Sequence, residues 1–252
     1  MGLFPLFALS VTAFLAAALS SLTGVAGGVI LLSGLLLIVP AKAVVPLHGC
    51  IQFCAGASRM LVYRHHIDWA VVFPFILSML PGAGLGAYGL TLLFGSNPSW
   101  LLLIIAVVVI YAALAKPPTT PTPIQTEDGG LTLLVLGFSC GFLGMFVGST
   151  GPLVSGWLLR RGIVKEAHIA SKSVMQGMAH LVKLPLFAFW LDFNFTPYAF
   201  SLLAMGFMVV LGTMMGRWAL DRVSVSHFNA LIRVLLGLIA LRIIGTEVAL
   251  LF

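Results

Sequence analysis

Residues 1–41, 69–115 and 129–159 carry no charged side chain and are dominated by Leu, Val, Ile, Ala, Phe and Gly. In lipid every backbone N–H and C=O must find a partner within the protein, which leaves helices or a closed barrel as the only spanning structures. Runs of about 20 apolar residues are the length of a helix that crosses a hydrocarbon layer about 30 Å thick. With 60% hydrophobic and 8% charged residues in a chain of 252, an ordinary soluble domain is excluded. The length accommodates roughly eight to ten helices of about 20 residues with short loops. The expectation is an all-α integral membrane protein whose partner is the lipid bilayer.

Glycine and proline divide the chain into segments. The first runs from about Leu3 to Leu22 and stops at the cluster Thr23-Gly24-Val25-Ala26-Gly27-Gly28. A short segment follows, about Val29 to Val39, then a longer one, about Val44 to Tyr63. The next, Trp69 to about Phe94, contains Pro74, Pro81 and the run Gly82-Ala83-Gly84-Leu85-Gly86. Small residues four apart let membrane helices approach closely. A fifth runs from Trp100 to Ala115, and the Pro- and Thr-rich stretch 116–130 reads as a flexible linker.

The order then repeats: about Leu131 to Val147, the break Gly148-Ser149-Thr150-Gly151-Pro152, a short segment about Leu153 to Leu159, and longer ones at about Ala167 to Trp190, Phe195 to Leu220 and Phe228 to Ile244. A shift of 124 residues superposes Gly24 on Gly148, Gly27 on Gly151, Gln52 on Gln176, Ala55 on Ala179 and Asp68 on Asp192, and it sets Arg59 on Lys183. In the fourth segment the shift becomes 130 if Gly82 and Gly86 match Gly212 and Gly216. The chain is therefore expected to comprise a first membrane repeat, 1–115, the linker 116–130 and a second membrane repeat, 131–252.

Positive charge marks the side of the membrane. In the first half it sits after the third segment, at Arg64. In the second half it sits before the third segment, at Arg160, Arg161 and Lys165, and after the fourth, at Arg217 and Arg222. Equivalent loops thus fall on opposite sides, which needs an odd number of crossings per half. Two inverted repeats of about five segments each satisfy this, with eight to ten transmembrane segments depending on whether 29–39 and 153–159 span. Both termini are then outside and the linker inside the cell membrane. Inverted repeats with broken helices are a recurring transporter design.

The seven acidic residues, Asp68, Glu127, Asp128, Glu166, Asp192, Asp221 and Glu247, all lie at segment ends or in loops. The spans do hold basic and amide groups. His48, Gln52 and Arg59 fall within about 40° of one another on a helix. Lys172, Gln176, His180 and Lys183 repeat the stripe in the second half. Cations inside a membrane without carboxylates call for a negative partner, and a small anionic substrate supplies one. The glycine breaks add to this. A helix that starts after unwound backbone presents free N–H groups and the positive end of its dipole. Candidate substrate-binding residues are accordingly Gly24, Gly27, Gly28, His48, Gln52, Arg59, Gly148, Ser149, Thr150, Gly151, Lys172, Gln176, His180 and Lys183. The structural alternatives are close packing for the glycines, snorkelling toward head groups for the cations and neutral packing for the histidines. Cys50, Cys54 and Cys140 read as small packing residues. No metal, cofactor or nucleic acid is expected, and a homodimer stays open.

The glycine break after the first helix, its recurrence after a central linker, and the stretch Ala170-Ser171-Lys172-Ser173-Val174-Met175-Gln176 leading to His180, Lys183, Leu184 and Pro185 resemble the sulfite exporter TauE/SafE family. The resemblance covers essentially the whole chain. It implies a carrier for sulfite, sulfoacetate or a related organosulfur anion, driven by the proton gradient. Independently of the resemblance, His48 and His180 are candidates to bind substrate or carry a proton, because histidine titrates near neutral pH. Where many members carry an Asn-Lys pair early in the third segment, this chain has Gly49 and Cys50.

Other function classes fit less well. A passive pore favours polar lining along its length rather than two clustered stripes. A membrane-embedded lipid-modifying enzyme usually needs paired carboxylates around a metal, and none lies within a span. A secondary transporter is the expectation, and not an enzyme.

Overall fold

The computed structural model describes residues 2–23, 27–93, 130–163 and 165–219. Gly24, the fifth segment of each half and residues 116–129 of the linker lie outside the described residues, so of the linker's two expected boundaries the structure describes the second, where Gly130 precedes the helix that starts at Leu131. Among those described there are eight α-helices and no strand: α1 (Leu3–Thr23), α2 (Gly27–Ile38), α3 (Ala41–Tyr63), α4 (Trp69–Leu93), α5 (Leu131–Val147), α6 (Gly151–Arg160), α7 (Lys165–Pro185) and α8 (Ala199–Ala219). Two long helices thus enclose a short and a long one in each half, as the segments predict. Pro74 and Pro81 remain inside α4, as membrane helices tolerate. After α7 the backbone widens into a π turn, Leu186–Trp190.

Three helices are long and apolar enough to cross a membrane by themselves: Leu3–Ser21, Trp69–Leu92 and Thr196–Trp218. α3 and α7 are as long but more polar, and they form the interior. They cross each other with little between them. A Cβ on Gly56 would sit 3.0 Å from the Cα of Gly177 and 3.1 Å from the Ser173 carbonyl oxygen. Arg59 pairs with Ser173, and His48 with His180. Positions rising along α3 meet positions falling along α7, so the two run antiparallel. Equivalent helices of the two halves pointing in opposite directions are what inverted repeats require.

The outer helices pair across the halves. α4 packs against α5, and α1 against α8. Gly82 and Gly86 lie on the carbonyls of Phe138 and Phe142, whereas Gly212 and Gly216 lie on those of Phe14 and Ala18. Phe138 and Phe142 are Phe14 and Ala18 shifted by 124, and the glycines are shifted by 130. One packing device is therefore used twice with the partners exchanged. The first helix of each half packs on the fourth helix of the other, in parallel. There is no room for a Cβ at these glycines, because van der Waals contact between backbones is what holds such helices together in lipid.

Ends can now be assigned. The amide of Asp68, after α3, donates to Ser171 near the start of α7. The Arg217 guanidinium at the end of α8 lies 4.9 Å from the centre of the Tyr63 ring at the end of α3. Arg64, Arg160, Arg161 and Arg217 thus share one end of the bundle, whereas Asp192 sits at the other, together with one cation that the charge reading left out, Lys42.

This packing makes a contrast within one helix. Gly82→Ala puts a methyl into the Phe138 carbonyl, whereas Gly84 has nothing within 4 Å of its would-be Cβ. Gly82→Ala is expected to destabilise by about 1–3 kcal/mol, and Gly84→Ala to be neutral or slightly stabilising. Thermal unfolding of the two purified variants in detergent checks this.

Candidate substrate site

α1 and α5 each stop at a glycine break, and α2 and α6 restart from it toward the interior. At the second break Gly148 has φ +78, a conformation that disfavours any side chain. Its N–H closes α5 onto the Gly144 carbonyl. Thr150 is the N-cap of α6, and Pro152 sits in its first turn, where a missing N–H costs nothing. In α6 the amide of Leu153 donates to the Thr150 carbonyl (3.1 Å) and Pro152 brings no N–H, which leaves the Gly151 amide as the one without a partner in its own helix.

Both starts point at the same place. A Cβ on Gly28 would sit 2.9 Å from Oγ of Ser149 and 3.5 Å from Nε2 of Gln52. A Cβ on Gly151 would sit 3.4 Å from Oε1 of Gln176 and 3.5 Å from Nζ of Lys172. Each restarted helix thus faces the glutamine of its own half. Between them lies a cavity of about 410 Å³, open part included, lined by Ser20, Gly28, Gln52, Arg59, Ser149, Gly151, Ile169, Lys172, Ser173, Gln176 and His180. Only Ile169 is an apolar side chain, and none of the lining residues is a carboxylate.

The cations deep in the bundle are buried, not snorkelling. Arg59 and Lys172 are each 7% exposed and Lys183 is 2% exposed. Nε of Arg59 donates to the Ser173 hydroxyl (3.2 Å), which donates on to the Ile169 carbonyl (2.6 Å). One terminal nitrogen of Arg59 is buried with no partner among the described residues. A buried donor of this kind calls for an acceptor that no described residue supplies.

Eight of the expected site residues come together here: Gly28, Gln52, Arg59, Ser149, Gly151, Lys172, Gln176 and His180. Five do not line the cavity. Gly27 is pressed against α1 at Ala16 and Ser20. Thr150 stands behind Gln176, accepting from its Nε2 at 3.2 Å. His48 donates from Nε2 to the Gly28 carbonyl (2.8 Å), and Lys183 donates to the Gly148 carbonyl (3.1 Å). These are correction and refinement together. The stripes are polar throughout, but the crossing of α3 and α7 sends one part of each stripe to the cavity and another part behind the breaks. Ser20, Ile169 and Ser173 line the cavity without having been singled out as binding residues. Ser173 stands beside Lys172 in the family-like stretch, whereas nothing in the sequence distinguishes Ser20 from its neighbour Ser21. His168, also missed, is buried with Nε2 3.2 Å from the Ser155 hydroxyl, tying α7 to α6.

A family model described as sulfite exporter TauE/SafE matches residues 9–243. No curated protein and no solved structure matches the chain.

A buried cation placed for a ligand is a burden when the ligand is missing. Arg59→Met is therefore expected to stabilise the ligand-free protein by about 1 kcal/mol or more while reducing the stabilisation by anions. Paired melting curves with and without anion test this, and a variant that keeps the anion-induced shift would sink it.

Proposed function

The chain belongs to the sulfite exporter TauE/SafE family, and from that premise we propose that it is a secondary transporter exporting sulfite, or a related small sulfur anion such as sulfoacetate, across the cell membrane. The observation that carries the reading is the pairing of Arg59 and Lys172, both more than nine-tenths buried, at one cavity that no carboxylate lines. The anion brings to the cavity a negative charge that none of its lining residues carries. Its oxygens accept from the Arg59 guanidinium, the Lys172 ammonium, the Gln52 and Gln176 amides, the Ser149 hydroxyl and the N–H groups at the starts of α2 and α6.

Transport proceeds by alternating access, the two halves rocking about the crossing of α3 and α7. A coupling proton has a place on the imidazoles of His48 and His180. Their ring centres are 5.4 Å apart, and each has a buried Nδ1 without a partner among the described residues. The positive-inside rule sets the end with Arg64, Arg160, Arg161 and Arg217 in the cytoplasm and the amino terminus outside.

The test is thermal stabilisation of the purified protein in detergent against sulfite, thiosulfate, sulfoacetate, taurine, sulfate and simple carboxylates. A sulfur oxyanion at about a hundred times its Kd is expected to stabilise by roughly 2.7 kcal/mol, and Gln52→Ala with Gln176→Ala to remove the shift. Taurine is expected to bind poorly, because its ammonium finds no carboxylate. Folded protein that responds to none of these anions would refute the reading.

A further inference from the structure

The cavity is only one side of a pseudo-symmetric arrangement. Under the 124-residue shift that exchanges the halves, Arg59 becomes Lys183 and Lys172 corresponds to His48. Gln52 and Gln176 exchange with each other and so stand on the axis between two half-sites. The first half-site holds Arg59 and Lys172 and lies toward the arginine-rich end. The second must hold Lys183 and His48 and lie toward the opposite end.

The second cluster exists. Nζ of Lys183 reaches the Gly148 carbonyl at 3.1 Å, and a Cβ on Gly144 would sit 3.1 Å from both Cε and Nζ of the lysine. A Cβ on Gly148 would sit 3.4 Å from Nδ1 of His48. That nitrogen belongs to a fully buried ring and has no partner among the described residues. The cluster mirrors the cavity in chemistry, a cation beside a second basic group at a glycine break. It differs in being closed: neither Lys183 nor His48 lines the open space.

We propose that Lys183 and His48 form a second anion half-site, closed in this conformation, which holds the same anion when the transporter opens toward the end opposite the arginines. The inference rests on the anion-transport reading above. In the conformation seen here the Gly148 carbonyl stands in for the anion on Lys183. When the halves rock, Lys183 exchanges that carbonyl for the anion, and Arg59 and Lys172 become the closed pair. The anion then moves past the two glutamines from one cation pair to the other.

The experiment measures half-saturation for radiolabelled sulfite at each face separately, in right-side-out and inside-out membrane vesicles. Arg59→Gln is expected to raise the half-saturating concentration about tenfold at the arginine-rich face and less than twofold at the other. Lys183→Gln is expected to do the reverse, and Lys183→Arg to restore most of the loss. If Lys183→Gln does not reach the membrane, Gly144→Ala, which crowds the ammonium without removing it, is expected to show the same one-sided effect. A Lys183 or Gly144 effect that is equal at both faces, or missing from both, overturns the second half-site. Wild-type vesicles that carry no sulfite, or an Arg59→Gln variant unchanged at both faces, refute instead the anion-site reading on which it rests.

Discussion

Positive charge buried in a lipid-embedded bundle is the constraint to which the rest of this architecture answers. Arg59, Lys172 and Lys183 sit deep between helices, where an uncompensated cation is expensive. Their helices, α3 and α7, cannot face lipid and must be wrapped. The wrapping comes from the apolar pairs α1–α8 and α4–α5, whose outer faces present Phe4, Phe73, Leu77, Phe200, Leu203 and Phe207 to the surroundings. The interior polarity thus dictates a two-layer bundle, with polar helices at its centre and apolar ones around them.

Close approach makes that wrapping possible. In lipid no hydrophobic effect pulls one helix onto another, so contact must come from dense packing of backbones. Glycine supplies it at Gly82 and Gly86 on α4, at Gly212 and Gly216 on α8, and at Gly56 against Gly177 where the central helices cross. The exchange of partners has a mechanical consequence. Each half grips the other's outer helix, so the two are joined at the periphery as well as at the central crossing, through tightly packed contacts.

The glycine breaks join the packing to the chemistry. Ending α1 and α5 and restarting the chain at Gly27 and Gly151 places two helix starts in the interior, where irregular backbone is tolerated because it lines a cavity. Gly28 against Ser149 and Gly151 against Lys172 then close the site from both halves. Carbonyls at the breaks are used as well: that of Gly28, in the first turn of α2, accepts from His48, and that of Gly148, past the end of α5, accepts from Lys183.

Much of this was legible along the chain. Charge-free runs of helix length forced a helical membrane protein, because lipid offers backbone groups no other partner. The 124-residue shift disclosed the duplication, and the slip to 130 foretold which glycines would serve as packing surfaces. Arg64 and Asp192 disclosed the inversion, since charge segregates across a membrane. A helical period also put His48, Gln52 and Arg59 on one stripe. It did not say which neighbours that stripe would meet, because periodicity fixes the face of a helix and not the crossing angle or the register of its partner. Only the antiparallel crossing of α3 and α7 separated Arg59 and Lys172, open to a cavity, from His48 and Lys183, closed onto carbonyls. Ser20 joined the site for the same reason: its place is set by how α1 lies against α3, a relation between segments far apart in sequence that local composition does not encode.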